Sequence, residues 1–495
     1  MPLPIIGNLF SVWLNLRRLK YHHVVWQEWS RQYGEVLGLQ LGCINLVVVS
    51  GADRIKEVLS REVFNGRPDG FFYTLRSFGK KIGIVFADGP SWNSTRRVAL
   101  KYLKTFGYGT ASMEALITEE CSELIKLRMQ DAGEPIEMDH MFDIPVVNIL
   151  WRIVAGKRYD LKDDRLRKIC YLIKRSFKVV DMSGGIINFF PYLRHIIPGY
   201  TGYRELKELH HSMYMFIKNV IREHESTIKY DKPRDVIDAF LIEMAENKDR
   251  SAATVTDAEL QVVCLDLLQA GMETVSNTAV FLALHCMRDE DVQMRLHREI
   301  DDVIGERVPQ LADRGRMVYT EAVILEALRI SSVAAVGIPH MAVQDAQLGS
   351  YIIPRGTFIL LALHDLHNGP QWEDPHLFNP ERFISNSGKL ISPDSFLPFG
   401  CGRRRCIGEA LARSELFLFL THLLQSFHLE TPPGDPQPST DPVNGVTLSA
   451  KPFRASFHLE TPPGDPQPST DPVNGVTLSA KPFRAVFKPR ATGFN

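Results

Sequence analysis

Phe399-Gly400-Cys401-Gly402-Arg403-Arg404-Arg405-Cys406-Ile407-Gly408 sets glycines and three arginines around Cys406, directly ahead of a segment whose apolar residues Leu411, Leu416, Leu420 and Leu424 recur at helical spacing. A cysteine at a helix start meets unpaired backbone N–H groups at the positive end of the helix, and neighbouring guanidiniums strengthen the bias toward thiolate. Gly402 and Gly408 lack side chains and so let the backbone approach a flat ligand. The loop is therefore read as a thiolate site. Its alternative is a buried structural cysteine beside solvated arginines.

Composition sets the surroundings of this loop. The chain has 495 residues, 44% hydrophobic and 23% charged, with ample material for a large core. Length alone would suggest about three domains, but no low-complexity linker divides the interior, and one large domain is expected. A formal net charge of -1 gives no global pull toward nucleic acid or an acidic partner. Seven scattered cysteines without a Cys-x-x-Cys pair suit a reducing compartment and argue against a disulfide framework or structural zinc. There is no apolar run of about eighteen residues and no signal peptide.

The hydrophobic periodicity is mainly helical, with short strands near 36–49 and 347–361. A long helix is expected to begin at Thr256, whose hydroxyl and Glu259 form a capping box, and to run beyond Cys286. Segments 114–156, 204–228, 287–304 and 316–330 also carry helical spacing. Residues 426–455 recur letter for letter as 456–485. Two such copies are too few for a solenoid, so a recent duplication or an assembly artefact is expected. The organisation is then a catalytic domain over 1–455, the duplicate 456–485 and a C-terminal end 486–495. The first copy, ending Arg454-Ala455-Ser456-Phe457, is expected to supply the terminal strand, because use of the second must close a longer loop. Residues from about Glu460 would then be a poorly packed tail.

Four further signatures are spread over the chain. Trp92-Asn93-Ser94-Thr95-Arg96 puts a cation one helical turn from an indole. Ala270-Gly271-Met272-Glu273-Thr274 places a glycine, about 1 kcal/mol worse than alanine, inside the long helix, where a small-residue step can loosen it. Glu326-Ala327-Leu328-Arg329 sets opposite charges on one helical face, and Asn379-Pro380-Glu381-Arg382-Phe383 adds a second arginine. Gly337-Ile338-Pro339-His340 follows the Glu-x-x-Arg helix. Each alone has an ordinary structural reading: a packed Trp, a helix-packing Gly, a solvated ion pair, a satisfied His.

Together with the spacing Phe399, Gly402, Arg404, Cys406, Gly408, these motifs resemble the cytochromes P450. The stretches 92–109 and 337–342 are most similar to the microsomal family-2 clan, in the manner of an insect member near the methyl farnesoate epoxidases. The resemblance implies a mainly α fold with small β-sheets, and haem b between the long central helix and the cysteine-loop helix. It implies Cys406 as the axial thiolate on iron, with Phe399, Gly402, Gly408, Ala270 and Gly271 against the cofactor. Trp92 and Arg96 would serve one propionate, and His340 beside Arg404 the other. Thr274 and Glu273 would be catalytic, ordering and delivering protons for dioxygen activation. Glu326, Arg329 and Arg382 would form a buried structural lock.

The implied reaction inserts one oxygen atom of dioxygen into a lipophilic substrate and releases the other as water. No flavin or nicotinamide fingerprint is present, so electrons must come from an NADPH–cytochrome P450 reductase, with cytochrome b5 as a further candidate donor. Arg96, Arg97, Lys101, Lys104, Arg403, Arg405 and Arg413 would form the docking face. No nucleic-acid partner is expected. Met1-Pro2-Leu3-Pro4-Ile5-Ile6-Gly7-Asn8 resembles the proline-rich hinge that follows the membrane anchor in microsomal relatives, so an endoplasmic reticulum membrane protein facing the cytosol, with its anchor missing, is expected. Segments 189–192 and 196–199 would dip into the membrane surface. The alternatives are a haem-thiolate isomerase or peroxygenase, against which Glu273-Thr274 argues, and a haem-binding protein without turnover.

Overall fold

The computed structural model describes residues 3–130, 134–179, 183, 185–246, 255–443, 449–450, 472–473, 479–480 and 484–489. Among them, sixteen α-helices accompany one long central helix, Asp257–Arg288, and there are five small sheets. The central helix starts where the capping box predicts: Thr256 Oγ1 accepts from Glu259 N at 3.2 Å, and Glu259 Oε2 accepts from Thr256 N at 3.1 Å. Its buried residues point in every direction, from Leu260 and Val263 to Ala279 and Leu284, as expected for a helix enclosed by others. It packs against Asp143–Ala155, Val318–Ser331 and the cysteine helix Glu409–Ser426.

Two helical expectations are divided by the structure. Segment 114–156 is two helices, Ala111–Gln130 and Asp143–Ala155, separated by the strand Pro135–Glu137. Segment 287–304 also breaks, because Asp289 adopts an extended backbone and its side chain accepts from Val292 N, capping the helix Glu290–Val303.

The main sheet positions one wall of the site. Val36–Leu41 and Ile44–Val49 form an antiparallel hairpin; Ile44–Val49 runs parallel to Phe358–Leu361, which pairs antiparallel with His340–Met341. His340 is therefore held in register opposite Ile359.

At the C-terminus, Arg484–Pro489 lies between Pro135–Glu137 and Phe427–Glu430. The first copy was expected there, but the terminal segment fills the position; residues 454–457 and 460 lie outside the described residues. The two copies pair with each other instead, Pro442–Val443 with Ser479–Ala480 and Ser449–Ala450 with Pro472–Val473, all antiparallel. The entropy argument behind the expectation is weak, since doubling a loop costs only about 0.6 kcal/mol. Val486, which follows the second copy where Ser456 follows the first, favours a strand by a comparable amount.

Candidate active site

A cavity of about 390 Å³ separates the central helix from the cysteine loop. Ala270, Gly271, Thr274 and Val275 line it from one side; Phe399, Arg404, Cys406 and Gly408 from the other. Trp92, Arg96 and His340 also reach it, whereas Glu273 and Gly402 do not line it.

Gly402 is required for a different reason from the one expected. Its φ is +67° and a Cβ there would lie 2.1 Å from the carbonyl oxygen of Leu59, so the residue seats the loop on the helix Ala52–Ser60. Gly408 has an ordinary backbone conformation and lies beside Cys406 Sγ, 3.7 Å from where a Cβ would stand. Gly271 likewise serves packing: a Cβ would come within 2.6 Å of Leu150 Cδ2, and the helix runs through this point without interruption. The expected loosening is absent, and Thr274 Oγ1 donates to the carbonyl of Ala270 at 2.8 Å. Glu273 is buried on another side of the helix, where it accepts from Asn277 Nδ2 at 3.0 Å and its charge acts on Lys174 and Lys178.

Cys406 is exposed at the wall of the cavity. Burial holds its thiol above the ordinary value, outweighing the Gly408 and Glu409 amides and Arg96. The expectation that helix end and arginines alone make the thiolate is therefore corrected. Arg403 turns to Glu62 and Asn93, and Arg405 pairs with Glu409 at 2.7 Å, so two of the three arginines are spent outside. A bound metal ion would supply the missing positive charge, because a coordinating thiol loses its proton.

The third arginine points inward. Arg404 donates through Nε (3.1 Å) and Nη2 (2.6 Å) to the carbonyl of Asn65, stacks 3.6 Å from the Trp92 ring centroid, and leaves Nη1 buried without a partner. Arg67, which the sequence reading missed, lies buried next to it, bonded to the carbonyls of Val85, Ile338 and Pro339. Burial and neighbouring guanidiniums push Arg404 down to about 10 and Arg67 well below its ordinary value. His340 Nδ1 bonds the carbonyl of Phe64 at 2.8 Å; burial, Arg67 and Arg404 keep the ring neutral. Asp88 offsets this cluster but is shared with Lys81 at 2.6 Å. Trp92 spends its indole N–H on the carbonyl of Ile84 at 3.0 Å, leaving its ring face as the cation platform.

Cations thus outnumber anions in a closed space, with one guanidinium nitrogen unsatisfied. That arrangement fits the two carboxylates of a haem, and the apolar slot between Cys406 and Ala270 fits its ring. Arg67 escaped the sequence reading because a lone arginine before a proline carries no motif; its burial is created by chain segments 271 and 272 residues away.

Away from the cavity, Glu326, Arg329 and Arg382 meet. Arg329 Nε and Nη2 grip Glu326 at 2.6 and 2.8 Å, and Arg382 Nε reaches Glu326 Oε1 at 3.1 Å. Both Glu326 and Arg329 are completely buried. Arg329 Nη1 also donates to the carbonyl of His367 at 2.7 Å, and Asn379 N to Glu326 Oε1 at 2.9 Å.

Comparison with known proteins agrees with this geometry. The family model described as Cytochrome P450 matches residues 1–457. The chain is 60% identical to the farnesoate epoxidase of Bombyx mori over 92% of both chains. It is 35% identical to the probable cytochrome P450 303a1 of Drosophila melanogaster, over 91% of this chain and 92% of that protein. It is also 35% identical to cytochrome P450 2D20 of Mesocricetus auratus, over 92% of this chain and 91% of that protein. With a cysteine facing a cation-rich, flat cavity under the longest helix, the chain belongs to the cytochrome P450 family and is a haem-thiolate monooxygenase.

Proposed function

We propose that this enzyme epoxidises a farnesoate-type lipid, an unsaturated isoprenoid acid or its ester. The observation that carries the reading is the 60% identity to a farnesoate epoxidase along 92% of both chains; an apolar lining that includes Phe72, Phe86, Leu267 and Ile338 supports it. The balanced reaction takes dioxygen, two electrons and two protons, places one oxygen atom across a C=C bond, and releases the other as water.

Haem bound here supplies dioxygen activation. Cys406 would hold the iron, while Arg404, Arg67, Arg96 and His340 would hold the propionates. An approaching carboxylate would favour protonation of His340, turning Nε2 into a donor. Thr274 Oγ1 exchanges its bond to the Ala270 carbonyl for one into the cavity by rotation about χ1, and so holds a proton beside the reacting atoms. Glu273 is turned away and accepts from Asn277, so it would deliver a proton to the cavity only after its side chain leaves that position. The apolar walls exclude water.

Electrons come from an NADPH–cytochrome P450 reductase docked on the cysteine side, with cytochrome b5 as a further donor. The expected basic face is reduced, because Arg403, Arg405 and Arg413 already face Glu62 or Glu409; Arg97, Lys101 and Lys104 have no ion-pair partner among the described residues and carry the docking charge. The protein works at the endoplasmic reticulum membrane, facing the cytosol. None of the described helices is long and apolar enough to cross a membrane. An exposed apolar patch is available for surface contact: Ile5, Tyr192 and Ile196 project near the turn at Gly42, which bonds Ile6 and adjoins Phe189. The catalytic domain assigned to 1–455 is completed by the strand Arg484–Pro489.

Reconstitution with reductase, NADPH and farnesoic acid or methyl farnesoate tests the reading. The expected product has gained one oxygen atom as an oxirane, with turnover abolished in Cys406→Ser and NADPH use uncoupled from product in Thr274→Ala. Product formation from peroxide alone, or none from either lipid, would overturn it.

A further inference from the structure

A second polar cluster lies in the same cavity, away from Cys406. Arg76 is only 5% exposed. Its Nη1 pairs with Asp266, its Nη2 donates to Gln269 Oε1 at 2.7 Å, and its guanidinium lies 5.4 Å from the Phe86 ring centroid. Gln269 Nε2 in turn donates to Ser176 Oγ at 3.1 Å. His210 Nδ1 bonds the carbonyl of Leu206 at 2.8 Å. Arg76, Ser176, His210, Asp266 and Gln269 all line the cavity.

The donor count points to a ligand. Asp266 is already satisfied, because Oδ2 accepts from Ile84 N (2.6 Å) and Val85 N (3.0 Å) while Oδ1 takes Arg76. Arg76 has five N–H donors and gives hydrogen bonds to two side chains. The surplus is of donors on Arg76, beside the apolar walls Ile84, Phe86 and Leu267, where an unmet polar group is costly. A group that accepts hydrogen bonds fits that surplus; an amine does not.

The position adds a length. Asp266 precedes Thr274 by eight residues on the same helix, about 12 Å at 1.5 Å per residue. An extended carbon chain, advancing about 1.2 Å per bond, covers that distance in about ten bonds.

We propose that Arg76, held by Asp266 and Gln269, forms a head-group subsite for the carboxylate or ester end of a linear lipid. Holding that end sets which distant carbons lie near Thr274. This rests on the lipid oxidation proposed above and assigns the residues that orient the substrate.

The test uses the haem-loaded protein and three probes of one skeleton: farnesoic acid, its methyl ester, and farnesene, which lacks oxygen. Affinity is read from the substrate-induced change in the haem spectrum. The wild type is expected to bind an oxygenated probe at least about 10-fold more tightly than farnesene, the range for hydrogen bonds to a charged group. In Arg76→Met with Asp266→Asn, which removes both charges together, that preference should disappear while farnesene affinity stays within about 3-fold. Arg76→Lys separates the two sources: retained acid binding with lost ester binding means charge recognition, and the reverse means the guanidinium fork. Gln269→Leu, which keeps the ion pair but frees an Arg76 N–H, covers failure of the double variant to fold and should raise the preference; an unchanged preference there counts against the subsite. Equal losses for all three probes would show that Arg76 only anchors its loop, and would overturn the subsite. Should no farnesyl probe bind the wild type, the farnesoid reading falls by itself. The subsite is then judged on dodecanoic acid, its methyl ester and dodecane, where absence of any preference for oxygenated ligands overturns it.

Discussion

Two buried arginine clusters in this molecule look alike in composition and differ in whether they contain their anion. Around Glu326, two arginines and a backbone amide converge on one carboxylate, and the carboxylate's bonds are made within the chain. Around Arg404, Asp88 offsets Arg404 and Arg67 but is shared with Lys81, Arg96 adds a further cation, and Arg404 Nη1 has no partner. The first cluster is complete as a scaffold. The second is completed by a ligand. Burial of charge alone does not distinguish structure from site; the balance of donors and acceptors does.

The comparison makes opposite predictions for removing a cation. Arg329→Ala strands a buried carboxylate and should cost about 3–5 kcal/mol, giving poorly folded, haem-deficient protein; Arg382→Ala should act in the same direction. Normal haem loading and an unchanged urea midpoint in both variants would break the contrast. Arg404→Ala removes a charge that others repel, but also two bonds to the Asn65 carbonyl and the contact with Trp92, so the haem-free protein should lose about 1–2 kcal/mol, less than Arg329→Ala. Haem affinity should nevertheless fall about 10- to 100-fold, the loss expected for charge-assisted hydrogen bonds. Haem titration and chemical unfolding of the same preparation separate the two effects.

Acid should weaken the scaffold side in a defined direction. His367 accepts from Leu397 N through Nε2 at 3.1 Å, and its carbonyl receives Arg329. Burial pushes His367 and His285 down to about 3, below the ordinary value of about 6.5 in the unfolded chain. Between those values the unfolded state binds more protons, so stability present above about pH 6.5 is lost as pH falls, by up to about 1.4 kcal/mol per pH unit for each ring. Unfolding midpoints of the haem-free protein between about pH 7 and about pH 5 check the slope. His367→Gln should flatten it.

The smallest effect is expected outside both clusters. Deleting residues 456–485 leaves Arg454 and Ala455 joined directly to Val486 and restores a single copy. The strand beside Phe427–Glu430 can then form with a shorter loop, a change of about 0.6 kcal/mol for each halving. Haem content and melting temperature should stay level or rise slightly; a clear fall would mean that pairing between the copies holds the terminal strand in place.

The sequence by itself determined the features that depend on neighbours along the chain. The Thr256–Glu259 capping box starts the central helix. Glu326 and Arg329, three apart, share a helical face and form a bidentate pair. Cys406 stands just before the helix Glu409–Ser426. Such adjacency follows from backbone periodicity and needs no knowledge of the fold. Tertiary structure decided whatever joins distant segments. It brought Arg382 to Glu326 across 56 residues, placed Arg67 against the carbonyl of Pro339 across 272, and joined Arg76 to Asp266 across 190. It also turned Glu273 away from the cavity, assigned Gly402 and Gly271 to close packing, and gave Arg403 and Arg405 outside partners. Side-chain identity names the possible partners of a charge, but only the packed chain decides which are met and which donors remain for a ligand.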